Sequence, residues 1–186
     1  MGNRAVPGPA QCAELFRRYS LDPGIIAHGE LTARVAGLLA LALLESGIPV
    51  DVELVWAAAL LHDVGKAVDP IHHHVASRRI LEEHGWPTLG PLVERHLTGL
   101  ILTGDAPVTW EERLVYYADK LCTTQVVSLV ERVDDLCRRY PEHAATFRAC
   151  LPAMRALEDE IFRQLPWGRD QLLHRLAAAP RAPEEA

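Results

Sequence analysis

Residues 57–66 read AAALLHDVGK. The small and branched apolar residues Ala57 to Leu61 run without a spacer into His62 and Asp63, and then into Val64, Gly65 and Lys66. Asp51 is placed to start a helix that continues through Val55, Ala58, Ala59 and Leu61 and ends near Asp63-Val64-Gly65. Such an apolar segment belongs in a core. A histidine and a carboxylate at its foot are costly there unless they are paired or ligated. The same ten residues therefore bear on both the fold and the chemistry.

Helical signals continue on either side. Gln11–Tyr19 is a short segment. Asp22-Pro23 is a helix start, with Asp as cap and Pro in the first turn, and the helix it opens runs to Ser46 before Gly47 and Pro49. Val35, Leu38, Leu39, Ala42 and Leu43 recur along it at helical spacing. A fourth helix covers His73–His84, stopped by Gly85 and Pro87. A fifth holds Leu92–Leu97 and closes on His96. Thr109 and Glu112 form a capping-box pattern that opens a long helix through Leu114, Tyr117 and Leu121 to Leu136. Pro141 and Pro152 bracket the last pieces, the final strong one being Pro152–Leu165. No stretch reads as a strand. The expectation is an all-α, single-domain helical bundle of about seven helices. Residues 1–9 form a flexible leader, 10–176 the helical domain with its motifs within 24–121, and 177–186 a flexible tail.

Composition narrows the function. The chain of 186 residues is 49% hydrophobic and 6% aromatic, enough for one core and inclined to helix. Its formal net charge of −6 disfavours duplex nucleic acid as a partner, while a small phosphorylated substrate stays open because a metal supplies local positive charge. The four cysteines form no CxxC pair and read as free thiols. The N-terminus lacks the apolar core of a signal peptide, and the longest apolar run, Val35–Leu44, is too short to span a bilayer. A cytoplasmic protein with no membrane contact is expected. The amphipathic face of Arg155–Leu165 offers a surface for a homodimer.

The nine histidines are unevenly placed. His28 lies early in the second helix, His62 beside Asp63, His72, His73 and His74 just ahead of the fourth helix, and His96 at the end of the fifth. Asp119 stands among Leu114, Val115, Ala118 and Leu121, where a bare carboxylate is again costly. A divalent metal offsets these costs together, since imidazole and carboxylate are its ligands. Mixed N and O donors suit Fe, Mn, Co, Ni or Zn, with Mg less suited to histidine. The bland readings are a solvated loop for the three-histidine run, a helix-end cation for His96, and solvated charges for Lys66, Arg78, Arg79 and Asp69.

His28, the run Ala59–Lys66 and the run Tyr117-Ala118-Asp119-Lys120 resemble, in order and spacing, the three signatures of the HD superfamily of metal-dependent phosphohydrolases. His62–Lys66 is similar to the form seen in its HDIG branch. By that resemblance His28, His62, Asp63 and Asp119 are metal ligands on a bundle of about five or more helices. Members with two metals add two histidines. His73, followed by Ser77 and Ile80-Leu81, fits the first, with His72 and His74 as neighbouring registers. His96, in a stretch similar to the His-x-Thr-Gly of the YqeK-like branch that hydrolyses dinucleoside tetraphosphates, fits the second.

The implied activity is hydrolysis of a phosphoester or phosphoanhydride bond in a small nucleotide-like substrate through metal-activated water. One or two ions are implied. Asp63 is placed to bridge two, Lys66, Lys120 and Arg78 to hold phosphate, and Asp69 to orient water or protonate a leaving group. The alternative is a catalytically idle nucleotide-binding or sensory module of the same type.

Overall fold

The computed structural model describes residues 6–179. Its α-helices are α1 (Pro9–Arg18), α2 (Pro23–Glu45), α3 (Val52–Leu61), α4 (His73–Glu83), α5 (Gly90–Glu94), α6 (Trp110–Leu121), α7 (Leu129–Arg139), α8 (Ala144–Arg163) and α9 (Leu172–Ala178). Short 3-10 turns join several of them, among them Val64–Ala67. No strand occurs among the described residues, where one isolated bridge pairs Cys122 with Val126. The leader and tail expected at 1–9 and 177–186 lie mostly outside the described residues.

At the centre stands α3, buried along its length from Leu54 to Leu61. Asp51 caps it by accepting from the Leu54 amide at 3.0 Å. It packs against α2 and α6, which also pack on each other. Asp22 caps α2 through the Gly24 amide at 2.7 Å, and Pro23 fills the first turn. By length and hydropathy α2 is the one described helix long and apolar enough to cross a membrane, yet its buried residues, from Gly29 to Leu43, face the interior of this bundle. α4 and α5 pack together, with α5 against α3 and α6. α7 and α8 pair with each other and lean on α6.

Three details depart from the sequence reading, which expected about seven helices. The long helix expected from Thr109 to Leu136 is two. α6 stops at Leu121, Cys122 turns extended at φ −110° and ψ 131°, and a reversal over 122–128 leads to α7. A second capping box, Ser128 with Glu131, starts α7. Pro152 does not open a helix but lies inside α8. It is tolerated because Pro152 and Arg148, whose carbonyl loses its partner, are both exposed. His96 does not close α5, which ends at Glu94 with Arg95 as its cap, and sits in the turn that follows.

Candidate metal centre

Close backbone contact brings the site together. At Gly29, next to His28, a Cβ would come within 2.5 Å of the Leu60 carbonyl oxygen, so only glycine lets α2 press this closely on the end of α3. At Gly65 a Cβ would lie 2.2 Å from the His73 carbonyl oxygen and 2.4 Å from the Ser77 nitrogen. That contact seats the first turn of α4 on the turn after Asp63. Ser77, fully buried, fastens it: its hydroxyl donates to the His62 carbonyl at 2.7 Å and accepts from the Gly65 amide at 2.8 Å.

Six expected ligands, His28, His62, Asp63, His73, His96 and Asp119, converge from five parts of the chain. They form overlapping groups whose candidate ligand atoms lie within 4.8 Å of one another: His28, His62 and Asp63; His62, His96 and Asp119; and Asp63, His73 and His96. The Asp63 carboxylate divides them. Its Oδ2 faces His62 Nε2 at 3.4 Å and His28 Nε2 at 3.9 Å, while its Oδ1 faces His73 Nε2 at 3.4 Å and His96 Nε2 at 3.6 Å. Asp119 Oδ1 lies on the first side, 3.1 Å from His28 Nε2 and 3.6 Å from His62 Nε2.

The tautomers sharpen this arrangement. His62 Nδ1 meets the Ala59 carbonyl at 2.8 Å, His96 Nδ1 the Val93 carbonyl at 2.5 Å, and His73 Nδ1 the Pro70 carbonyl at 3.2 Å. A carbonyl only accepts, so each Nδ1 carries a proton and Nε2 is the ring atom turned inward, the one available to a metal. His73 and His96 oppose these nitrogens at 3.2 Å. Burial holds both imidazoles below their ordinary pKa, and the charge of His62 adds to the depression of His96. The buried His62 Nε2 and Asp63 Oδ1 have no hydrogen-bond partner. Burial opposes charge on His62 too, but the Asp63 and Asp119 carboxylates outweigh it and push its pKa up to about 10. Burial would raise Asp63 and Asp119; instead His62 and Lys66 hold Asp63, and Lys120, His28 and His62 hold Asp119, well below the carboxylate range. Four imidazole nitrogens and two carboxylates thus converge on one centre, and this donor set fits a divalent metal.

The remaining candidates divide. Lys66 contacts Asp63 Oδ2, with its side chain 35% exposed. Lys120 is 3% exposed and bonded to Asp119 Oδ2 and, at 2.7 Å, to the His96 carbonyl. It therefore braces ligands, and a phosphate-holding role for it is not what the geometry gives. Arg78 is also corrected, since it pairs with Glu82 at 2.8 Å and Glu94 at 2.6 Å. Asp69, expected to handle water or a proton, instead shapes the loop before α4. It accepts from the Ile71 and His72 amides and pairs with the exposed His72. Of the three adjacent histidines, His73 is the one at the centre.

One residue escaped the sequence reading. Arg132 of α7 is 8% exposed and places Nη2 3.5 Å from Asp119 Oδ1. Its signal was present: Leu129, Val133 and Leu136 make an apolar stripe at helical spacing, and a cation at 132 interrupts it.

Comparison with known proteins agrees with this geometry. The family model described as HD domain matches residues 25–124. An uncharacterized protein of Methanocaldococcus jannaschii is 31% identical over 74% of this chain and 87% of its own length. Proteins named tRNA (cytidine(56)-2'-O)-methyltransferase are 30% identical over 77% of this chain in Picrophilus torridus and 28% over 76% in Thermoplasma volcanium. The match spans only 44% and 45% of those two, less than half of each. No solved structure matches the chain.

Proposed function

The chain belongs to the HD domain family, and from that premise we propose that it is a metal-dependent phosphohydrolase acting on a small, nucleotide-like phosphate ester or anhydride. The observation that carries the reading is the Asp63 carboxylate, whose two oxygens face two separate sets of inward-turned imidazole nitrogens. His28, His62, Asp63 and Asp119 would hold one ion, and Asp63, His73 and His96 a second. Divalent ions so held lower the pKa of water and polarise phosphoryl oxygens.

The chain's own residues supply the rest. The backbone carbonyls of Ala59, Pro70 and Val93 fix the imidazole tautomers, and Lys120 fixes the Asp119 carboxylate. Lys66, reaching Asp63 from a partly exposed position, is the cation able to swing onto a substrate phosphate. With a net charge of −6 the protein suits a small substrate better than duplex nucleic acid, and dinucleoside polyphosphates fall within the proposed class. The methyltransferase activity in two relatives' names belongs to proteins more than half of which has no counterpart here.

Elemental analysis of the purified chain, followed by a panel of mono- and dinucleotides with Fe, Mn, Co, Ni, Zn and Mg in turn, tests the proposal. Two metal equivalents and hydrolysis abolished by His62→Ala and by Asp63→Ala are expected. Absence of bound metal, with hydrolysis unchanged in both variants, sinks it. A second reading, an idle nucleotide-binding module, is favoured by the match to less than half of proteins named for another reaction. Tight nucleotide binding without turnover under every metal would support that reading.

A further inference from the structure

We infer that Arg132 is a phosphate-binding residue at the end of the centre formed by His28, His62 and Asp119; the inference rests on the phosphohydrolase reading and adds to it the place where an anionic oxygen is held. The reasoning begins with donors left unused. A guanidinium carries a planar fork of N–H groups, and burying it is costly unless they are met. Arg132 is 8% exposed, yet its side chain makes no hydrogen bond among the described residues. Its buried Nε has no partner, and its closest ionic contacts are long: 3.5 Å to Asp119 Oδ1 and 3.7 Å to Asp135 Oδ2.

Neither carboxylate explains the arginine. Asp135 is already engaged by Arg139 at 2.6 Å. Asp119 has Lys120 on Oδ2 and His28 at 3.1 Å on Oδ1. Around the two central carboxylates stand three cations, Lys66, Lys120 and Arg132, before any metal adds its charge. Of these, Lys120 spends its bonds on Asp119 and the His96 backbone, and Lys66 lies at the rim. Arg132 alone combines deep burial with unspent donors beside a ligand oxygen. A tetrahedral phosphoryl group is the anion that matches a guanidinium fork bidentately while presenting a further oxygen to the metal side.

The test compares wild type, Arg132→Gln and Arg132→Lys as full-length, metal-loaded protein, with inorganic phosphate titrated by calorimetry and metal content measured on the same samples. Metal content should stay at the wild-type level in both variants. Phosphate affinity should fall by about tenfold or more in Arg132→Gln, the loss of a charge-assisted hydrogen bond, and by less in Arg132→Lys, which keeps the charge without the fork. Phosphate affinity unchanged in Arg132→Gln overturns the inference and leaves the phosphohydrolase reading standing. Loss of metal in step with phosphate also overturns it, because Arg132 would then merely position Asp119. If Arg132→Gln fails to fold, Arg132→Lys decides alone by the same criteria. Wild type that holds metal but binds no phosphate overturns the inference, while the phosphohydrolase reading is decided separately by hydrolysis in the nucleotide panel.

Discussion

A single carboxylate organises the centre, and single glycines bring its ligands within reach. Asp63 turns one oxygen to each histidine set, but it does so only because Gly29 lets α2 touch Leu60 and Gly65 lets α4 touch the turn that follows. Gly65→Ala should therefore destabilise the fold by about 1–3 kcal/mol through overpacking against backbone that cannot yield. It should also lower metal content by moving His73; thermal denaturation and elemental analysis check the two effects. His96→Gln removes an imidazole from one oxygen of Asp63 only, and should reduce bound metal from two equivalents to one. Full retention of both ions would contradict the division at Asp63. At this scale the sequence was legible where a polar residue broke an apolar pattern, as His62, Asp63 and Asp119 do. Arg132 breaks its stripe in the same way, as a cation between Leu129 and Val133. Asp69 and Arg78 were assigned from nearness along the chain, and the fold turns them to local carboxylate and backbone partners instead.

Helix starts were readable because caps are local chemistry: Asp22, Asp51 and Thr109 each accept from an amide within the first turn, as their sequence contexts imply. The reversal between α6 and α7 was not readable. Leu121 and Leu129 are spaced so that the apolar stripe stays in helical phase across the break, so periodicity alone runs straight through it. The break folds α7 back and brings Arg132 within 3.5 Å of Asp119. Pro152 misled for the opposite reason, a breaker tolerated on an exposed face. Pro152→Ala should stabilise the protein by about 1–3 kcal/mol by restoring an amide donor and relieving the ring clash. Denaturant unfolding measures it, and a loss of stability would show that α8 needs the proline's geometry.

Across the whole molecule, charge and burial oppose each other at the centre, so metal should act as a stabilising ligand of the native state. Removing it with a chelator should lower the melting temperature, and restoring it at about a hundredfold excess over Kd should return about 3 kcal/mol for each ion bound. An unchanged melting curve would contradict a metal-dependent centre. Packing makes a separate demand on the thiols. Cys12, Cys122 and Cys150 are fully buried, and burial pushes the first two up to about 12, whereas Cys137 is partly exposed. At pH 8 a thiol reagent should modify Cys137 alone in the native protein and all four cysteines after denaturation. Fast reaction at a second site would contradict the packing around α1, α6 or α8.

The division at Asp63 also separates partners that are near in the chain from partners that are far. His73 and His96 are 23 positions apart, whereas His28 and Asp119 are 91. Closing the longer loop costs about 1 kcal/mol more in chain entropy. During synthesis His62, Asp63, His73 and His96 are all joined to the chain before Asp119. The centre thus has an early half and a late half, and the late one closes only when α6 has docked on α2 and α3. Ion capture at that half would then follow the docking of α6. Refolding in the presence of Co(II), followed by its absorption bands, should show ligand fields arriving in two phases, and a single phase would rule this ordering out.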